Sequence, residues 1–144
     1  MRVPTALCLI VLLVVAPGIS AGDRAKETDK HVIYYNAIQT STLPEEVARA
    51  YNITRSDNRV LLNIAVHRRN GDNGPVPVEA DIEAEAVNLN AQMKRFRMEK
   101  ISEDEAIYYI GTTRISSGET LDFSIRVQPR DSDEHAEIHF RRQY

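Results

Sequence analysis

Four carboxylates at alternate positions, Glu79, Asp81, Glu83 and Glu85, have the clearest spacing for chemistry in this chain. On an extended strand they stand on one face about 6.8 Å apart, a separation comparable to that of the acid and base in glycoside hydrolases. Their oxygens would also suit a hard cation, although such ions prefer ligands converging from loops. The structural alternative is a solvated face paired across a hairpin. Asn88-Leu89-Asn90 offers the turn, and a register whose residue numbers sum to 180 sets Glu85 opposite Arg95 and Glu83 opposite Arg97, which opposite charges favour. A second cluster, His135-Ala136-Glu137-Ile138-His139, sets two imidazoles and a carboxylate on one strand face. Histidines four apart share an ion on a helix, but on a strand they are about 13 Å apart, too far for that. The sequence has no Ser-His-Asp context, no H-E-x-x-H and no glycine-rich strand-to-helix loop. No catalytic residue, metal site or cofactor is expected.

The remaining candidate is a polar loop, Tyr51 to Arg59, dense in Arg, Ser and Asn. Loops carried on a rigid body are common places for recognition, and the planar fork of arginine reads carboxylates and carbonyls with defined geometry. The expected binding surface is Arg55, Ser56, Asn58 and Arg59, with Asn63 beside them on an outer sheet face. The simpler alternative is that Arg55 and Asn58 fasten the loop to the helix before it.

That helix is predicted over 43–51. Thr42-Leu43-Pro44-Glu45 has the spacing of a capping box, with Pro44 in the first turn, where its missing N–H costs nothing. Leu43, Val47, Ala50 and Tyr51 form an apolar stripe, and Glu45 with Arg49 makes an i,i+4 pair in the favourable order. Asn52 is placed to close the helix in a left-handed conformation. A helix this short must dock on something larger.

The larger body is β. Val60, Leu62, Ile64 and Val66 alternate with polar residues, as do Val78 to Ala86, Leu121 to Val127 and Ala136 to Phe140. A period of two puts one face in a core and the other in water. His31–Ile38 and Ala106–Ile115 carry Ile and Tyr on both faces, as central strands or strands covered by something else would. Asn70 to Pro75 reads as a long hairpin loop and Ser116-Ser117-Gly118 as a tight one. Pro75 and Pro77 predict that the strand after them starts at a sheet edge. About seven strands with a single short helix predict an all-β fold, an antiparallel immunoglobulin-like β-sandwich.

The first 21 residues are an address. Met1-Arg2 is followed by an apolar run, Leu7 to Ala16, then Pro17-Gly18 and the small pair Ser20-Ala21. This order reads as a cleavable secretory signal peptide, and the run is well short of the roughly twenty residues that span a bilayer. Cleavage takes Arg2 and the single cysteine, Cys8, with it, so the net charge moves from −3 to −4. The remaining chain has no thiol for a disulfide, a zinc site or a nucleophile. Its acidic balance gives no reason to expect nucleic acid. Residues 22–30 read as a flexible lead-in and 31–144 as one domain.

The series Tyr35-Asn36-Ala37, Ser41 to Leu43, Val47-Ala48, Tyr51, Arg55-Ser56, Asn58 and Leu62-Asn63-Ile64 resembles the opening of the bacterial "domain of unknown function 4426" family. Asn88-Leu89 with Gln92, Ala106 to Tyr109 and Phe123 to Val127 resemble its later half. The resemblance spans the chain after the signal segment and implies a small exported protein of Gram-negative bacteria. It carries no activity to transfer. A glycine is more usual in the family where Asn52 stands.

Together these observations favour a periplasmic, non-enzymatic binding or interaction module. Its expected partner is another envelope protein, with no nucleic acid and no membrane span after signal cleavage. The alternative is a carboxylate-based hydrolase or metal-dependent enzyme built on Glu79–Glu85.

Overall fold

The computed structural model describes residues 25–144, so the expected signal peptide lies outside the described residues. Its strands are β1 (Ala25–Glu27), β2 (His31–Gln39), β3 (Arg59–Arg68), β4 (Val76–Pro77), β5 (Ala80–Asn88), β6 (Met93–Phe96), β7 (Glu99–Glu103), β8 (Ala106–Arg114), β9 (Thr120–Pro129) and β10 (Ala136–Gln143). One sheet has the order β1-β2-β3-β8-β7, with β4 paired to the end of β3; the other has the order β10-β9-β5-β6. Every pairing is antiparallel. The expected sandwich is what forms. Part of the segment read as a flexible lead-in, Ala25–Glu27, is instead a short strand on β2.

Alternation builds the core as expected. Val60, Leu62, Ile64 and Val66 of one sheet face Leu121, Phe123, Ile125 and Ile138 of the other, with Ile82 and Phe140 packed against them. Phe123 stacks on Phe140, their ring centroids 4.4 Å apart and their planes nearly parallel. A second apolar cluster lies on the outer face of the first sheet. Leu43, Val47 and Ala48 cover Leu61, Ala65, Tyr108 and Ile110 there. This cover explains why the β2 and β8 segments are apolar on both faces.

Helix α1 is shorter than predicted, Glu45–Ala50, and Pro44 occupies the N-cap position without a side-chain cap. The capping box does not form. Leu43 precedes a proline and is therefore held extended, which delays the helix start, and the Thr42 hydroxyl turns back to the Gln39 carbonyl at 2.7 Å. The other end follows expectation. Asn52 has φ of 55°, and Ile53 N–H to Ala48 and Asn52 N–H to Arg49 complete a Schellman pair. Replacing Asn52 with valine should lower the unfolding free energy by about 1–2 kcal/mol, while Asn52→Gly should leave it nearly unchanged. Urea denaturation of the two variants checks this, and equal losses would contradict it.

Two local turn readings need correction. The Ser116-Ser117-Gly118 turn does not close a hairpin, because β8 and β9 belong to different sheets and the turn is a corner between them. The strand after Pro75 and Pro77 is not an edge either. Pro77 ends β4 on the first sheet, and β5 sits between β9 and β6 in the second. Turn residues fix a local reversal of the chain, whereas the sheet it enters depends on distant partners.

Candidate functional site

The acidic comb lies on the outer face of the β10-β9-β5-β6 sheet. Glu79 is 2.6 Å from Lys100 and 3.1 Å from Arg130, and the Lys100 contact leads the lowering of its pKa. Asp81 is 2.8 Å from Arg130 and Glu83 is 3.2 Å from Arg126. Glu85 is paired in register with Arg95. The predicted register holds from Val87↔Met93 to Ala84↔Phe96. It stops there because the chain leaves the sheet through Arg97-Met98 to enter β7, so Glu83 pairs in register with Arg126 of β9 rather than Arg97. Any added cation would compete with these guanidinium and ammonium groups for the same oxygens.

Glu83, Glu85, Arg95, Ser124, Arg126 and His139 line a shallow concavity of about 700 Å³ on this face. Within it Ser124 Oγ lies 3.2 Å from His139 Nδ1, and His139 Nε2 lies 3.7 Å from Glu137. These are the residue types of a nucleophile, a base and an orienting acid. However, β9 pairs on both sides at Ser124. The flanking amides therefore serve the two ladders, which leaves no donor pair for an oxyanion. His135 lies outside this arrangement, just before β10.

The polar loop is pinned to the body of the protein. Thr40 Oγ1 accepts from Ser56 N–H at 2.9 Å and donates to the Thr54 carbonyl at 2.8 Å. Arg55 donates to the Ser41 carbonyl at 2.9 Å, and Ser56 Oγ accepts from Asn58 N–H. The Asn58 carbonyl accepts from Ile115 N–H at 2.9 Å. Arg55, Ser56 and Asn58 thus hold the loop's shape.

Arg59 differs from these three. It lines a groove of about 410 Å³ whose floor is Ile110, Gly111 and Thr112, walled by Tyr51 to Thr54 on one side and by Arg97 and Glu99 on the other. Arg59 Nη1 donates to Thr112 Oγ1 at 3.4 Å. Gly111 is needed at the floor. A Cβ there would stand 2.9 Å from the Arg97 carbonyl oxygen and 2.8 Å from Met98 sulfur. Burial, with the charge and hydrogen bond of Glu103, pushes the Tyr51 hydroxyl up to about 12, so Tyr51 stays neutral. Asn63 is separate from this groove. It is buried, opposite Asn36 and Ile110, and its Oδ1 has no hydrogen-bond partner among the described residues. The structure therefore does not gather the five expected residues into one surface: it leaves Arg59 facing a groove and adds Arg97, which sequence reasoning assigned to pairing with Glu83.

Sequence reasoning also missed a buried polar cluster at the opposite end of β3. His31 is fully buried, with Nε2 2.8 Å from Asp131 and Nδ1 2.9 Å from Glu134. Each ring nitrogen thus faces a carboxylate oxygen at hydrogen-bond distance. Thr28 Oγ1 donates to Glu134 at 2.8 Å, and Arg68 reaches Asp131 at 3.1 Å. Burial alone would raise the Asp131 pKa, but the contacts with His31 and Arg68 outweigh it and lower it. Hydrogen bonds from His31 and Thr28 lower that of Glu134. Nearby, His67 packs edge-on against Tyr34; burial lowers its pKa.

A family model described as "Domain of unknown function (DUF4426)" matches residues 25–144. Among solved structures, the chain is similar to a DUF4426 family protein from Pseudomonas aeruginosa PAO1. Identity is 25%, the TM-score is 0.70, and the match covers 87% of this chain and 96% of that one. The fold is also similar to that of FetP from a uropathogenic Escherichia coli strain. A copper-bound variant of FetP matches at 10% identity and a TM-score of 0.56, over 84% of this chain and 93% of that one. FetP as isolated after recombinant expression in the E. coli periplasm matches at 9% identity and a TM-score of 0.56, over 84% and 92%. No curated protein matches the chain.

Proposed function

Because this chain belongs to the DUF4426 family, whose resemblance in sequence implies export, we propose that it is a periplasmic, non-enzymatic module that binds a partner through the groove beside Arg59. The observation that carries this reading is a polar groove walled by a pinned loop. A preformed loop loses little conformational entropy on binding, and side chains on its rim can be presented without reorganising the sandwich. Another envelope protein is the proposed partner. The hydrolase alternative is weaker, since Glu79, Asp81 and Glu83 are already neutralised by basic side chains. The copper bound by the FetP variant is not carried over. Among the described residues, no three His, Cys, Asp or Glu side chains are grouped to hold a metal.

The test uses tagged protein purified from the periplasmic fraction, where an N-terminus near Gly22 is expected. Cross-linked complexes captured from envelope extract are compared between the parent and the Arg59→Ala/Arg97→Ala variant. The variant should keep the parent's melting curve and lose at least one partner. A folded variant that captures the same partners in the same yield would move the site away from this groove.

A further inference from the structure

We propose that the groove beside Arg59 takes an oxyanion, a carboxylate or a phosphate group, held by the guanidiniums of Arg59 and Arg97, which line it, with Arg114 next to Arg59 across the β3–β8 ladder. This rests on the reading of the groove as a recognition surface and names what that surface recognises. Arg59 and Arg114 are direct cross-strand partners at the end of the β3–β8 ladder, so they project from the same face. Like charges directly opposite one another destabilise a sheet unless an anion stands between them. No carboxylate lies within ion-pair distance of Arg59, and the Arg97 and Arg114 side chains have no polar partner among the described residues. Elsewhere most arginines are neutralised, including Arg68, Arg126, Arg130 and Arg141. On a chain of net charge −3, a concentration of unpaired guanidiniums is a local reversal of sign.

Geometry supports the same ligand class. The close backbone approach over Gly111 fixes Arg97 at the rim, and the Thr112 hydroxyl keeps the Arg59 head above the floor. Glu99 is the one carboxylate lining the groove, and it forms no ion pair with these arginines. Tyr51, neutral and hydrogen-bonded to Glu103, adds no negative charge. The groove volume of about 410 Å³ exceeds a single oxyanion and leaves room for the group that bears it. Arginine forks bind carboxylate and phosphate in two-point geometry, which gives direction as well as attraction.

Backbone and arginine side-chain NMR signals of the full-length exported protein would be followed in two titrations, one with inorganic phosphate and one with a glutamate-rich peptide. Sodium chloride holds ionic strength constant. Saturable shifts are expected at Arg59, Arg97, Thr112 and Arg114. Arg97→Ala and Arg114→Ala, whose side chains hold nothing in the fold, should each weaken binding roughly tenfold or more with an unchanged melting curve. Saturation by phosphate alone assigns a phosphorylated ligand, and saturation by the peptide alone assigns an acidic protein segment. Shifts that track chloride equally, or no saturable shift with either probe, overturn the proposal. If that happens while the groove variant still loses its captured partner, the groove recognises something other than an anion and only this inference fails.

Discussion

Replacing Phe123 with alanine should lower the unfolding free energy by about 3–5 kcal/mol, the largest loss expected from any single core truncation here. Phe123 is 1% exposed and central to the aromatic packing of the sandwich. Phe140 stacks on it at 4.4 Å, Phe96 lies tilted at 5.8 Å and Tyr144 meets it edge-on at 6.4 Å. Its neighbours in register, Ala86 on β5 and Phe140 on β10, are held by ladders on both sides of β9. The surrounding backbone therefore cannot collapse into the space the ring leaves, and the cavity cost adds to the lost transfer energy. Against a total stability of about 5–15 kcal/mol for a domain of this size, such a loss should move the urea midpoint visibly. A loss below about 1 kcal/mol would mean that the aromatic stack does not hold the sheets together.

His31→Leu is the second large effect, and its cause is different. Removing the imidazole leaves Asp131 and Glu134 facing an apolar side chain at a fully buried position. Leaving His31's hydrogen bonds to charged groups unmade costs about 1.5–3 kcal/mol, although Asp131 keeps Arg68 and Glu134 keeps Thr28 as partners. Adding Asp131→Asn and Glu134→Gln to His31→Leu should recover part of that loss, whereas a simple packing defect would not be relieved. The cluster also sets an acid limit. Both carboxylates have folded pKa values below their ordinary 3.8 and 4.5. Their contribution is thus complete above about pH 4.5 and is lost as pH falls through 3.8 and below, where the unfolded chain binds protons more readily. Melting temperatures measured from pH 6 down to pH 3 should drop more steeply for the parent than for His31→Leu. Parallel curves would show that the cluster contributes nothing to acid stability.

Why these two sites differed in how visible they were in the sequence is a matter of range. Phe123 was legible because Leu121, Phe123, Ile125 and Val127 repeat with period two, and that pattern is a local property of a half-buried strand. Nothing local marks His31. It opens a strand, and its two partners lie about a hundred positions later in the β9–β10 connection. The same distinction runs through the candidate site. Asn52 announced the helix end, and the hairpin of Glu85 with Arg95 followed from turn and charge alone. Arg97 was assigned to that hairpin although the chain departs for the other sheet one residue earlier.

By itself, then, the sequence determined what alternation, turn chemistry and composition can encode. These are an all-β chain with a buried stripe on each long strand, one short helix closed at Asn52, and no thiol after the leading segment. Only the tertiary structure decided which strands share a sheet. It also decided that Ser116-Ser117-Gly118 is a corner between sheets, that Arg55, Ser56 and Asn58 hydrogen-bond to hold their loop, and that Arg59 and Arg97 line one groove. The reason is physical: side-chain periodicity fixes which face of a strand is buried, whereas partners and sheet membership are set by contacts between segments far apart in the chain.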